Sequence, residues 1–188
     1  MGTLRVLGVA GSLRRASLNR ALLRAAVERA PEAGLEVTPF DIAAIPLYNG
    51  DVEEKGIPDP VAAFKQAIAE ADGLLIATPE YNYGVPGVLK NAVDWASRPP
   101  GESPLVGKPA AIMGATPGAS GTVRAQLQLR LSFVFTQTLV MPQPEVAVHR
   151  AHEKFDATGR LTDEPTRKFL DQMLHAFAAW IRRFRPGA

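Results

Sequence analysis

The sequence of 188 residues contains no cysteine. Disulfide bonds, thiol nucleophiles, zinc sites with cysteine ligands and iron–sulfur clusters are therefore excluded as the basis of its function. A large excess of charge of one sign is also missing, because 21 basic residues face 19 acidic ones. No basic run carries interleaved aromatic side chains, so we expect no nucleic-acid partner.

Long apolar runs are equally scarce. The first run, Leu4 to Ala10, is too short for a secretory signal, and no stretch approaches the roughly 20 residues of a membrane span. We therefore expect a cytoplasmic protein without a membrane partner. A hydrophobic fraction of 46% and a charged fraction of 21% are ordinary for a globular protein. The length suits a single domain covering residues 1–188.

Apolar runs and amphipathic stretches alternate along the chain. Buried strands are predicted at 4–10, 35–40, 73–78, 108–115 and 138–141. Helices are predicted at 18–29, 61–71, from about 88 to 96, from the 116–121 loop to about 135, and at 166–184. Such alternation is typical of an α/β fold, a doubly wound parallel sheet with helices on both faces.

The loop from Gly11 to Asn19 follows the first predicted strand and combines hydroxyl, amide and guanidinium groups. Its candidate anion-binding side chains are Ser12, Arg14, Ser17 and Asn19. The first N–H groups of a helix lack partners, and the helix dipole is positive there, so this combination suits a phosphate dianion. Ser17 alone is equally well explained as a helix cap. The cluster as a whole predicts a phosphate site.

Two common nucleotide motifs are absent from this loop. Gly8-Val-Ala-Gly11 does not have the glycine spacing of a dinucleotide-binding fingerprint, and there is no P-loop motif. A loop rich in hydroxyls rather than glycines fits one terminal phosphate. Flavin mononucleotide, FMN, at the switch point of a flavodoxin-like sheet is the candidate that this pattern favours.

A second loop, Pro79 to Gly87, follows the most apolar predicted strand. It contains Tyr81 and Tyr83, two of the chain's three tyrosines, together with two prolines and two glycines. Loops at the carboxyl ends of parallel strands line the ligand crevice, so this segment predicts a surface for a flat, partly polar ligand. The alternatives are aromatic residues that cap the core and, for Glu80, an acid that stabilises the loop or an interface ion pair.

Together these two loops resemble those of the NADPH-dependent FMN reductase family, the flavodoxin-like quinone, azo-dye and chromate reductases of bacteria. The likeness continues through Gly107-Lys108-Pro109 and the Gly118/Gly121 loop to about Glu145. The resemblance implies a flavodoxin-like sheet of five parallel strands in the order 2-1-3-4-5. It also implies bound FMN, with NADPH or NADH as the hydride donor, and a homodimer or homotetramer with flavin sites near subunit interfaces.

The resemblance assigns each cofactor-binding residue to a part of FMN. Ser12, Arg14, Ser17 and Asn19 would hold the phosphate. The isoalloxazine and ribityl would be bordered by Pro79, Glu80, Tyr81, Asn82 and Tyr83. Thr116 and Gly118 would close the other edge of the ring. No metal ligand and no catalytic side chain is expected, since the flavin carries the chemistry.

The expected function is ping-pong electron transfer from a reduced nicotinamide to quinones or similar small acceptors, with flavin, azo, nitro and chromate acceptors also open. The alternative is a flavodoxin-type electron carrier that binds FMN without enzymatic activity. Such carriers are usually strongly acidic, which steers them to basic partners. The near balance of charge therefore favours the enzyme. A domain that has lost FMN conflicts with the intact Ser12–Asn19 cluster.

Overall fold

The computed structural model of the protein describes residues 2–184. Within that range one sheet contains six strands, each parallel to its neighbours. The strands are β1 (Leu4–Ala10), β2 (Leu35–Phe40), β3 (Gly73–Ala77), β4 (Pro109–Ala115), β5 (Leu139–Val140) and β6 (Val146–Val148).

The helices connect these strands, and the five predicted helices are all present with ends shifted by two residues at most. They are α1 (Leu18–Arg29), α3 (Asp59–Glu70), α4 (Gly87–Ala96), α5 (Val123–Phe135) and α6 (Glu164–Arg183). A one-turn helix, α2 (Gly50–Glu53), lies in the connection between β2 and α3. No helix in the described range is long and apolar enough to cross a membrane.

The strand order β2-β1-β3-β4-β5 confirms the predicted flavodoxin-like topology, with one correction at the edge. The fifth strand position, predicted as a single strand at 138–141, is shared by two short strands. β5 pairs with the start of β4 and β6 with its end. Pro142 and Pro144 lie between them, and proline removes the N–H group that a ladder needs. The sequence pattern did not predict β6.

Two apolar cores cover the two faces of the sheet. Successive residues of β1 enter different cores, since Val6 belongs to one and Leu7 to the other. The first core is filled from α1 and α6, and the second from α3, α4 and α5. All five residues of β3 are buried, as expected of a central strand covered on both faces.

This layering brings three loops to one edge of the sheet. Ala10, Ala77 and Ala115 end neighbouring parallel strands. The β1–α1 loop (residues 11–17), the β3–α4 loop (78–86) and the β4–α5 loop (116–122) therefore emerge side by side. Ligand sites of open parallel sheets lie at this carboxyl edge.

Candidate functional site

Ser17 begins α1 and shapes the β1–α1 loop. Its Oγ accepts hydrogen bonds from Asn19 N at 3.2 Å and Arg20 N at 3.3 Å, the usual arrangement of a serine N-cap. These bonds use Oγ as an acceptor, so the hydroxyl hydrogen stays available to a ligand. The N-cap expected from the sequence is therefore confirmed, and it leaves Ser17 able to donate.

The backbone of the β1–α1 loop offers a set of free donors. Among the described residues, no acceptor is found for the N–H groups of Ser12, Leu13, Arg15, Ala16 and Leu18. The Arg14 side chain is exposed and makes no hydrogen bond or ion pair in the described part of the chain. Unsatisfied N–H groups, hydroxyls and a guanidinium at the start of a helix form an anion site.

Asn19 lies beneath this loop and holds it in place. Its Nδ2 donates to Ala115 O at 2.9 Å, and its Oδ1 accepts from Ala115 N at 2.9 Å. The side chain is buried, so both bonds form away from solvent. The pair joins the first turn of α1 to the end of β4 and leaves one Nδ2 hydrogen unused. Asn19 thus fixes the geometry of the loop whether or not it also contacts a ligand.

The β3–α4 loop folds back on itself as a tight turn. Tyr81 and Gly84 exchange two backbone hydrogen bonds, 3.1 and 3.0 Å long. Between them Asn82 and Tyr83 have positive φ angles of 49° and 66°. A tyrosine in this conformation costs roughly 1–2 kcal/mol, so the surrounding contacts must hold the turn. The side chains of Tyr81 and Tyr83 remain exposed as a result.

Gly11 lets the β1–α1 and β3–α4 loops come together. A Cβ atom at this position would lie 2.9 Å from Leu89 Cδ2 and 3.3 Å from Pro79 Cδ. A side chain here would require Leu89 and Pro79 to shift. At the outer end, Ser12 Oγ and Tyr81 Oη are 3.4 Å apart. The two loops predicted separately from the sequence are therefore in contact.

Glu80 points away from the cleft opening and into the start of α5. Its side chain is 7% exposed and forms an ion pair with Arg124. It also accepts backbone hydrogen bonds from Arg124 N at 3.0 Å and Ala125 N at 3.3 Å. Burial raises the pKa of Glu80, but the hydrogen bonds and charge of Arg124 and the Ala125 N–H outweigh it and hold the pKa below its ordinary value.

The β4–α5 loop closes the third side. Gly118 N donates to Thr116 Oγ1 at 3.3 Å, which turns the chain just after β4. Thr116 N donates to Val148 O at 2.9 Å, and Arg150 N donates to Gly118 O at 2.9 Å. The position of Thr116 and Gly118 therefore depends on β6 and the residues after it, a segment that sequence reasoning missed.

These loops enclose one cleft. It is lined by Ser12, Arg14, Ser17, Leu18, Asn19, Pro79, Glu80, Tyr81, Ala115, Thr116 and Pro117. Most of the predicted site residues meet here. Asn82, Tyr83 and Gly118 lie outside the lining, on the same loops. Leu18, Ala115 and Pro117 were not predicted, although each directly follows or precedes a predicted site residue or ends a predicted strand.

The cleft residues fit FMN. The donors at the β1–α1 end suit a phosphate, and the tyrosines and prolines at the other end suit a flat ring. The only acid in the lining is Glu80, whose charge is already paired with Arg124. A dianionic phosphate and an electron-accepting ring therefore meet no unpaired negative charge in the cleft.

Comparison with known proteins points to the same cofactor. Residues 4–153 match the family model of the NADPH-dependent FMN reductases. The chain is 50% identical over 182 residues to an NAD(P)H-dependent FMN reductase of Pseudomonas aeruginosa, covering 97% of each chain. It is 46% identical over 179 residues to a 2-hydroxy-1,4-benzoquinone reductase of a Burkholderia species, covering 95% of this chain and 97% of the relative.

A solved structure agrees with the fold. FerB, a flavoenzyme NAD(P)H:(acceptor) oxidoreductase from Paracoccus denitrificans, superimposes with a TM-score of 0.89 at 38% sequence identity. The alignment covers 97% of this chain and 99% of FerB.

Proposed function

We propose that this chain, which belongs to the NADPH-dependent FMN reductase family, holds FMN in the three-loop cleft and passes electrons from NADPH or NADH to quinones. The observation that carries the proposal is the contact between two loops of complementary chemistry. Free N–H groups of the β1–α1 loop suit the phosphate, and the exposed tyrosines of the β3–α4 loop suit the ring.

The phosphate end consists of Ser12, Arg14 and Ser17 with the free N–H groups around them. Arg14 supplies the charge-assisted bonds, and the two serine hydroxyls donate from buried positions. Asn19 acts through Ala115 to keep the loop in place, and its remaining Nδ2 hydrogen would be a further donor to the phosphate.

The ring end is built mainly from backbone. The N–H groups of Glu80, Asn82 and Tyr83 have no acceptor in the described part of the chain. They would be the donors for the polar edge of the isoalloxazine, with Pro79 and Tyr81 bordering the ring and Thr116 and Gly118 closing its other edge. Bound FMN supplies hydride acceptance and electron transfer, and these donors stabilise the negative charge that reduction brings.

We further propose a ping-pong order, in which donor and acceptor bind in turn at one opening. Tyr81 and Tyr83 are 51% and 73% exposed, so the ring end of the cleft is open to solvent. A flat nicotinamide or a flat quinone can stack at this opening. Quinones are the favoured acceptors because the Burkholderia relative is named for one. The predicted location is the cytoplasm, where reduced nicotinamides are formed.

Visible absorption of the purified protein tests this function. The protein mixed with FMN should retain a yellow cofactor on desalting, and anaerobic NADPH should bleach it. Added benzoquinone should then restore the colour. A protein that retains no FMN would overturn the proposal. One that binds FMN but is not bleached by NADPH or NADH would be the electron carrier instead.

An apolar stripe along α5 supports assembly into a homodimer or homotetramer. Leu127, Leu131, Val134 and Phe135 are 53%, 72%, 74% and 86% exposed. They recur at helical spacing on the outer side of a helix whose inner side packs on the sheet. Exposed apolar stripes of this kind mark interaction surfaces. We propose that a second copy of the chain covers the stripe on α5.

The sedimentation coefficient measures that assembly. Leu131→Glu places a charge within the stripe and should shift the protein towards the monomer. Phe169→Glu is the matched control. Phe169 is an exposed apolar residue on α6, and α6 covers the other face of the sheet. If Leu131→Glu sediments as the wild type does, another surface forms the oligomer, and a monomeric wild type contradicts the proposal.

A further inference from the structure

The β3–α4 loop is attached to α5 at three points. Glu80 forms its ion pair and hydrogen bonds there, and Gln128 Oε1 accepts a hydrogen bond from Val85 N at 2.6 Å. The guanidinium carbon of Arg124 lies 3.8 Å from the centre of the Tyr83 ring, in a cation–π contact. The start of α5 therefore determines where this part of the site lies.

The first turn of α5 lacks a cap of its own. Thr122 occupies the capping position with a φ angle of 68° and makes no side-chain capping bond. The N–H groups of Arg124 and Ala125 instead find their acceptor in Glu80, more than forty residues away in sequence. A carboxylate at a helix N-terminus also gains from the helix dipole.

The carboxylate of Glu80 has no acceptor site left for a ligand. Oε1 accepts from Ser120 Oγ and from the Arg124 guanidinium, and Oε2 accepts from the two backbone N–H groups. A carboxylate offers about four such sites. Its side chain is consequently satisfied within the protein, while its backbone N–H has no acceptor among the described residues.

We propose that Glu80 is a positioning residue, which sets the flavin-ring donors of the β3–α4 loop by capping α5. The inference rests on the proposed function, because it assumes that those donors face the ring. Through Glu80, the N–H groups of residues 80, 82 and 83 are fixed relative to the β4–α5 loop on the opposite edge. The side chain acts through the backbone and makes no contact with the cofactor.

The test is Glu80→Gln, which keeps the size of the side chain but turns one of its oxygens into a donor that faces other donors. In the protein without flavin, amides at 79–85 and 123–126 should exchange hydrogen faster. The Kd values of FMN and of riboflavin should both rise by about tenfold, because hydrogen bonds to a charged group are lost and the ring donors move. The midpoint potential of bound FMN should also shift.

The matched control is Asp163→Asn. Asp163 caps α6 by accepting from Thr166 N at 2.9 Å, and α6 lies over the other core. This variant removes the charge of a helix cap, as Glu80→Gln does, so its flavin affinity and potential should equal those of the wild type. Ser120→Ala removes one donor to Glu80 and should change affinity in the same direction as Glu80→Gln, by about two- to threefold. Ser120→Ala takes over as the test variant if Glu80→Gln does not fold.

The outcomes separate this inference from the proposed function. A wild type that binds neither flavin refutes the function. If the wild type binds and Glu80→Gln binds equally well, Glu80 does not position the ring donors. Faster exchange with unchanged affinity and potential would make it a helix cap only. Weaker binding of FMN with unchanged riboflavin binding would place its effect at the phosphate, and would also overturn the inference.

Discussion

The β1–α1 and β3–α4 loops lie side by side in one cleft but are stabilised in different ways. The β1–α1 loop is organised by its own residues and the helix it begins, with Ser17 as the cap. Its buried side-chain anchor to a distant strand is the Asn19 pair with Ala115, beside the Gly11 N–H bond to Ala77 O and the Ser12–Tyr81 contact. The β3–α4 loop contains two residues at positive φ and is held from outside by α5. One loop is set mainly by local sequence and the other by tertiary contacts.

The difference extends to the chemistry that each loop offers. Among the described residues, the β1–α1 loop keeps the charged side chain that lines the cleft, Arg14, without a partner and presents it to a ligand. The β3–α4 loop uses its charged side chain, Glu80, to fasten the backbone. A phosphate needs charge and many donors, whereas a ring needs donors at fixed positions. The β1–α1 loop therefore suits the phosphate, and the β3–α4 loop suits the ring.

Asn19→Ala should produce the largest effect, because it removes the distant anchor of the locally organised loop. Both backbone groups of buried Ala115 would lose their partner, at a cost of about 2–4 kcal/mol in the free energy of unfolding. Urea denaturation of the protein without flavin measures this, with an unchanged m value as the sign of a pure stability effect.

Asn91→Ala is the matched control for that variant. Asn91 also pairs with two backbone groups, through Nδ2 to Pro46 O and Oδ1 from Tyr48 N, both at 2.8 Å. These bonds lie at the surface, so water replaces them and the cost should stay at or below about 1 kcal/mol. Equal losses of unfolding free energy in the two variants would show that burial of the Asn19–Ala115 pair adds no stability.

Arg14→Ala should leave stability nearly unchanged and weaken FMN binding. Loss of a charge-assisted hydrogen bond costs about 1.5–3 kcal/mol, which raises Kd by roughly 10- to 100-fold. Riboflavin lacks the phosphate, so its Kd should not change, in contrast to the Glu80→Gln variant. Fluorescence titration with both flavins makes the comparison.

Arg15→Ala controls for net charge, because Arg15 is the neighbouring arginine and lies outside the cleft lining. Its FMN affinity should match that of the wild type at moderate salt. If Arg14→Ala weakens riboflavin as much as FMN, the phosphate does not bind at the β1–α1 loop.

The same contrast explains how much of the protein was predictable. The strand order, the family, and FMN with NAD(P)H were predicted from the sequence and are confirmed. They depend on buried runs and two local motifs, and each of these is visible within one short segment of the sequence. Ser17 as the cap of α1 was predictable for the same reason, since capping is a matter of a few adjacent residues.

The contacts that hold the site together could not be predicted in this way. Glu80 and α5 are more than forty residues apart, and nothing in the β3–α4 loop indicates which of its polar groups is internally paired. The pairing of Asn19 with Ala115 has the same character. Strand β6 was missed because it is three residues long and follows two prolines. Each of these depends on tertiary contacts that the local pattern does not show.

The smallest predicted effect is on how the free energy of unfolding depends on pH, and it distinguishes the two loops by their ionisable groups. The pKa of Glu80 in the folded protein lies below its ordinary value, so its ionised form stabilises the native state. That contribution is complete above the unfolded-state pKa and is lost as pH falls through the folded pKa. The wild type should exceed Glu80→Gln in free energy of unfolding by about 1 kcal/mol near pH 7, with the difference shrinking below about pH 4.5.

The β1–α1 loop contains no carboxylate, so the difference between wild type and Arg14→Ala should show no such acid-dependent change. Urea denaturation at several pH values between 3 and 7 measures both differences. A Glu80→Gln deficit that persists undiminished at pH 3 would mean that the loss of one acceptor oxygen matters and the loss of charge does not.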